Sequence, residues 1–145
     1  MLWRVTGTSA LHRNRGDRLE RVISGFGQQP DTEAPCIALR SAFVVVAADY
    51  DAQRDELIRR FRIMAGNPAV YARSLQLQAG WEDALTDVLA RRAGTDASDI
   101  TPRLMAASAL ACMRSSLHHW MLTGHTSSLP LFIERCFDQL SDGLA

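Results

Sequence analysis

The sequence predicts an all-α fold, a bundle of five to six helices. Apolar residues recur at intervals of three and four between the Gly and Pro residues, which is the period of one face of a helix. No stretch shows the strict apolar-polar alternation of a half-buried strand, and the β-branched run at 44–46 lacks flanking turn residues. A chain of 145 residues suits one domain with one core.

The first expected helix covers residues 17–26, because its apolar residues recur at helical spacing and Gly25 and Gly27 favour an end there. Arg18 is expected to face outward. Residues 1–16 show no clean apolar period. We therefore expect 1–16 to be a poorly ordered leader and 17–145 to be a single helical domain.

Pro35 is expected to open the second helix, because the N–H that proline lacks is unpaired in the first turn of any helix. Apolar residues on nearly every side of this helix are typical of a central position. Charged residues at 49–56 leave two alternatives open. Either the helix continues through them, or Asp51 caps a new one.

Gly66, Asn67 and Pro68 form the clearest break in the chain. Gly66 can end a helix in the left-handed conformation, Asn67 can cap the next helix, and Pro68 can occupy its first position. The helix that follows is expected to stop at Gly94.

The last two expected helices cover residues 102–123, with an end at Gly124, and 129–141. Small residues fill the middle of the first one, and they allow another helix to approach closely or leave room for a ligand. The final helix has a large apolar face with little chain left to cover it, which indicates an interface. The alternative is that this face closes the chain's own core.

Composition and motifs argue against several classes of function. The 16 basic and 16 acidic residues cancel, whereas a free-standing nucleic-acid binder usually carries a basic patch. No apolar run reaches the ~20 residues of a membrane span and no signal peptide is evident, so we expect a cytoplasmic protein. Without metal-ligand spacing, phosphate loops or hydrolase motifs, we expect no cofactor, no metal and no enzymatic activity. A small helical enzyme with catalytic residues far apart in sequence remains an alternative.

Several local patterns follow one another in a fixed order along residues 35–145. They are the acidic-aromatic turn ADYDAQRD, the GNP break, the WEDAL segment before RRAG, the stretch TPRLMAASALACMRSSLHHWMLTG and the final SLPLFIERCFDQLSDGL. In their order and spacing, residues 35–145 resemble the effector-binding and dimerising domain of TetR-family transcriptional regulators. Residues 17–26 take the place of the helix that links the family's DNA-binding domain to its body.

The resemblance implies a homodimer in which the last two helices of each subunit form a four-helix bundle. The implied interface residues are Leu117, Trp120, Met121, Phe132, Cys136, Phe137 and Leu140. It also implies a pocket among the central helices for a small, mostly apolar effector, with polar groups from Tyr50, Tyr71, Gln78 and Ser108. The implied lining residues are Phe43, Val46, Tyr50, Phe61, Met64, Tyr71, Leu75, Trp81, Met105, Ser108 and Cys112.

The family's helix-turn-helix should precede residue 17, but residues 1–34 contain one short helix and no trihelical pattern. The resemblance thus implies the ligand-binding and dimerisation domain of a regulator, a repressor, which contacts DNA only through an N-terminal domain that this chain lacks. The alternative is an interaction protein that pairs with a full-length relative and antagonises its DNA binding.

Overall fold

The chain folds as a bundle of α-helices, as the sequence predicts. The computed structural model describes residues 17–96, 98–123 and 127–143, and contains no strand within those ranges. The leader expected at 1–16 and the helix end expected at Gly124 lie outside the described residues. The helices are α1 at 17–28, α2 at Pro35–Ala52, α3 at Arg54–Ala65, α4 at Pro68–Ala93, α5 at Ile100–Leu122 and α6 at Leu129–Ser141.

The core lies where α2, α5 and α6 meet. Helix α6 packs along α2 and against α5, and α5 packs on its other side against α4. Trp120 of α5 and Leu129 and Ile133 of α6 are fully buried at this junction. At these positions the apolar face of the last helix closes the core of its own chain.

Helices α2 and α3 are separated by one residue, Gln53. Its φ of −111° and ψ of 25° depart from helical values, and its backbone N–H hydrogen-bonds to the carbonyl oxygens of Asp49 and Tyr50. A new helix therefore begins at Arg54, but Asp51 does not cap it. The Asp51 carboxylate instead accepts a hydrogen bond of 3.1 Å from the backbone N–H of Leu129, at the start of α6.

The break between α3 and α4 matches its prediction in two of three residues. The Asn67 side chain accepts a hydrogen bond from the backbone N–H of Val70 at 3.3 Å, and Pro68 is the first residue of α4. The expectation of a left-handed Gly66 is wrong, because its φ is −84°. The Gly66 N–H bonds to the carbonyl oxygen of Arg62, so α3 ends in a right-handed turn. Gly94, with a φ of 68°, is the left-handed residue that ends α4.

Helix α2 is buried on one side only. Leu39, Phe43 and Val46 lie in the core, whereas Ile37 and Val45 are 52% and 64% exposed. Helix α2 contacts α3, α5 and α6, as expected of a central helix, although this apolar face stays exposed. Helix α2 packs mainly on α6, and no described element covers its opposite face.

The C-terminal end of α1 is fastened to α4 by Arg92. The Arg92 guanidinium donates to the carbonyl oxygens of Phe26 at 3.1 Å, Glu33 at 3.2 Å and Pro30. It also stacks over the Phe26 ring at 4.5 Å from the centroid. Because Phe26 is itself buried, this contact holds the α1–α2 connection against the end of α4.

Candidate ligand-binding cavity

A cavity of about 1030 Å³ lies among α3, α4 and α5 and reaches the start of α1 and the end of α2. Most of its wall is aliphatic, aromatic or thioether surface. Tyr71 and Leu75 of α4 belong to the wall yet are 52% and 46% exposed, so the cavity opens to solvent beside α4. Its apolar lining residues include Leu57, Phe61, Met64, Tyr71, Leu75, Trp81, Leu110, Met113, Leu117 and Met121.

Helix α3 forms one side of the cavity and is loosely attached. Of its residues, only Leu57 is buried, while Phe61 and Met64 are half-buried against the open space. Arg59 of α3 is exposed, whereas Arg60 and Arg62 belong to the cavity wall. A helix with so few buried contacts can shift at a lower cost in free energy than α2 or α6.

The lining contains several polar groups, of which Arg18 is the one from α1. Arg18 is 9% exposed, and its guanidinium lies 4.0 Å from the centroid of the Tyr50 ring. It donates a hydrogen bond of 3.1 Å to the side-chain oxygen of Gln53. Gln78 of α4 adds a half-buried amide. The Ser74 hydroxyl already donates to the carbonyl oxygen of Tyr71 at 2.8 Å.

The charged groups of the lining are mostly cationic. Among the described lining residues, the cations are Arg18, Arg60, Arg62 and Arg114, and the carboxylate is that of Glu82. Glu82 is paired with Arg103 at 3.0 Å, and the hydrogen bonds that Arg103 donates to the carboxylates of Asp83 and Glu82 raise the pKa of Arg103. The cavity therefore combines apolar walls with a positively charged rim.

The described residues show neither a metal centre nor a reactive thiol in the core. In the described ranges no three His, Cys, Asp or Glu side chains are placed to hold a metal ion. Burial raises the pKa of the Cys112 thiol to about 12, and the neighbouring thiols of Cys136 and Cys36 act in the same direction. Cys112 is therefore uncharged and a poor nucleophile at neutral pH. None of the described helices is both long and apolar enough to cross a bilayer.

Residues 33–145 match the family model described as the MftR C-terminal domain. This chain belongs to that family of TetR-type regulatory domains. Over 107 residues it is 28% identical to a Mycobacterium tuberculosis protein named "Putative mycofactocin biosynthesis transcriptional regulator MftR". That alignment covers 74% of this chain and 54% of the relative, so the chain spans about half the length of the curated relative it matches. The TetR resemblance seen in the sequence is confirmed.

Membership of the MftR family defines the general class of function. TetR-type regulators are generally dimeric and bind small-molecule ligands, and the family is one of transcriptional regulator domains and not of enzymes. The all-helical architecture agrees with this membership.

The structure of this MftR-type domain brings part of the expected lining together. The expected residues that line the cavity are Tyr50, Phe61, Met64, Tyr71, Leu75 and Trp81. Phe43, Val46 and Cys112 instead lie in the core, and Met105 and Ser108 are half-buried outside the cavity wall. Phe43 faces α6, where its ring centroid lies 5.9 Å from that of Phe137.

The expected interface residues of the MftR-type domain fall into three groups. Trp120 and Phe137 are buried within the chain, and the Trp120 indole N–H donates to the carbonyl oxygen of Ser127 at 3.1 Å. Leu117 and Met121 line the cavity. The remaining residues are half-buried on α6, namely Phe132, Cys136 and Leu140, with the Cys136 sulfur 3.3 Å from the Ser116 hydroxyl.

Arg18 is one of the lining residues that were not expected from the sequence, since it was assigned to the outer face of α1. The spacing of Arg18 from the buried residues of α1 could have identified it as a residue of the inner face. Arg18 precedes Val22 by four residues and Phe26 by eight, so it shares the face of α1 that these buried residues define. The expectation that Arg18 faces outward is wrong, because an arginine can bury its aliphatic stem along an apolar face and stack on an aromatic ring.

Proposed function

We propose that this domain binds a small, mostly apolar effector in the cavity and thereby controls a TetR-type transcriptional repressor. The supporting observation is the cavity itself, which at about 1030 Å³ is at the upper end of the range for ligand sites. Its walls are mainly apolar, with a few polar groups that can orient a ligand. The proposed contacts are Tyr50, Phe61, Met64, Tyr71, Leu75, Trp81 and Gln78.

The placement of polar atoms suggests how such a ligand would lie. Its apolar body would pack between Phe61 of α3 and Leu110 and Leu117 of α5. Its polar end would lie toward Tyr50, which contacts Arg18 near the start of α1. The cation-rich rim favours a ligand whose polar end accepts hydrogen bonds or carries negative charge.

Regulation would follow from a shift between two arrangements of the cavity helices. A ligand that packs better when α3 lies closer to α4 favours that arrangement by its difference in binding free energy. Helix α1 would respond, because Arg18 lines the same cavity. In the whole regulator, α1 would pass this movement to a DNA-binding domain. A protein with this role would act in the cytoplasm.

We propose no catalytic activity for the cavity. General acid–base catalysis uses an ionisable side chain that is positioned to exchange a proton with the substrate. In the described lining, Arg103 already engages the Glu82 carboxylate, and His118 is exposed and has no described partner that would position its ring. A binding role uses the same residues without requiring such a group.

We also propose a homodimer through α5 and α6. Ile100 and Leu104 of α5 are 72% and 62% exposed, and Ser108 and Ala111 continue the same helical stripe with small side chains. On α6, Leu131 is 41% exposed beside the half-buried Phe132. Apolar side chains and small residues on one face suit the close approach of helices from a second subunit. Trp120 and Phe137 would support this surface from within the core.

The test of both proposals is native mass spectrometry of the protein purified from its own host. The expected result is a dimer with retained small molecules.

Ala79→Trp should expel the ligand, because Ala79 lines the cavity. Ala72→Trp is the matched control, since Ala72 is also exposed on α4 but is not part of the lining. A monomer by sedimentation at micromolar concentration would remove the dimer proposal. Equal ligand retention in the two variants would remove the cavity proposal.

A further inference from the structure

Arg18 is the most deeply buried cation of the cavity lining. It is 9% exposed, whereas Arg62 and Arg114 are exposed and Arg60 is paired with Glu56. In the described part of the chain, its partners are the Tyr50 ring and the Gln53 amide oxygen, neither of which carries a charge. Arg18 thus holds a positive charge at the edge of an apolar cavity without a described counter-ion.

An arginine in this setting is suited to bind an anion. Removing its charge from bulk water is costly, and a ring face with one amide offsets only part of that cost. The guanidinium has five N–H donors, and the bond to Gln53 uses one nitrogen. A carboxylate, sulfonate or phosphate can take two of the remaining donors side by side. Exposed arginines give less selectivity, because water and salt screen their charge.

Arg18 also connects the cavity to the N-terminal end of α1, where Arg21 forms an exposed ion pair with Asp49 of α2. At the other end of α1, Phe26 is buried, and Arg92 stacks on its ring and donates a hydrogen bond to its carbonyl oxygen. An anion that draws the guanidinium away from Tyr50 and Gln53 would therefore displace the N-terminal end of α1 while the Phe26 end stays in place. Arg18 can therefore both bind the anionic group of a ligand and change the position of α1.

We propose that Arg18 is the specificity-determining residue of the cavity, selecting ligands that carry an anionic group and coupling their binding to α1. This inference rests on the proposed ligand-binding function.

The test uses two fluorescent probes with one aromatic skeleton, anilinonaphthalene sulfonate and the uncharged N-phenylnaphthylamine. Each is titrated into the full chain carrying Arg18→Gln. Loss of a charge-assisted hydrogen bond should weaken sulfonate binding by about tenfold, with less than about twofold change for the neutral probe. Arg73→Gln is the matched control, because Arg73 is exposed on α4 but is not part of the cavity lining, and we expect less than about twofold change for either probe.

The unmodified chain gives a second readout that does not depend on a variant folding. Hydrogen exchange of the amides at 17–28 should change when the sulfonate probe binds and remain unchanged with the neutral probe. Equal weakening of both probes by Arg18→Gln, an equal loss in Arg73→Gln, or the same exchange response to both probes would each overturn the role of Arg18. If neither probe binds the unmodified chain, the ligand-binding function itself is refuted, and the inference falls with it.

Discussion

Replacing Arg92 with methionine tests whether one side chain fastens α1 to the rest of the bundle. In the native chain, Arg92 donates to the carbonyl oxygens of Phe26, Pro30 and Glu33 and stacks on the Phe26 ring. Methionine keeps most of the apolar stem but has no donor. The loop at 29–34 would then lose the only described side-chain donor to these three carbonyls.

The size of the effect follows from these contacts. Hydrogen bonds to a charged group contribute about 1.5–3 kcal/mol each when fully buried, and the half-buried Arg92 should fall below the sum of three. Water can also reach part of the loop once the guanidinium is gone. We therefore expect Arg92→Met to lower the free energy of unfolding by about 2–3 kcal/mol. Arg92→Lys should lose about 1–2 kcal/mol, because one ammonium cannot reach all three oxygens.

Urea unfolding followed by far-ultraviolet circular dichroism measures this change. Protein concentration must be fixed, because the midpoint of a dimer depends on it. Arg91→Met is the matched control, since Arg91 lies beside Arg92 but is exposed, and its change should stay within about 0.5 kcal/mol. If Arg92→Met also stays within about 0.5 kcal/mol of the native chain, the three carbonyl contacts do not hold α1 in solution.

Three further predictions concern the interface and the core. Leu104→Glu should convert the proposed dimer to a monomer in sedimentation, whereas Val45→Glu, equally exposed but on α2, should leave it dimeric. Trp120→Ala should cost about 3–5 kcal/mol in urea unfolding, because Trp120 is fully buried; a loss below about 1 kcal/mol would contradict that placement. Cys112 should resist a thiol reagent at neutral pH while Cys36 reacts, since burial raises the pKa of Cys112 to about 12, and mass spectrometry of the labelled peptides would reveal the opposite order.

The helix boundaries could be predicted because local chemistry determines them. Asn67 and Pro68 begin α4 and Gly94 ends it, and each acts through its own backbone or its nearest neighbours. Asp51 shows the limit of such reasoning. Its carboxylate suits the start of a helix, but the helix it caps begins at Leu129, far along the chain. Sequence spacing gives the residue type that a cap needs and does not give its partner.

The cavity could be predicted only in part, because periodicity identifies a face without saying what that face meets. Leu117, Trp120 and Met121 all follow the apolar pattern of α5, yet Trp120 lies in the core and the other two line the cavity. Phe43 and Val46 of α2 likewise face the core. The charge of Arg18 predicts an exposed position, but its guanidinium stacks on the Tyr50 ring and lies on the inner face of α1.

A large open cavity has a consequence for how long the protein survives in a cell. Any molecule that binds the folded chain and not the unfolded one stabilises it, by about 2.7 kcal/mol at a concentration one hundred times its Kd. Proteases act on the unfolded fraction, so a change of this size alters abundance several-fold. If the proposed ligand binds in the cavity of about 1030 Å³, the domain would be degraded faster when that ligand is scarce. Supply of the ligand would set the amount of the sensor as well as its state.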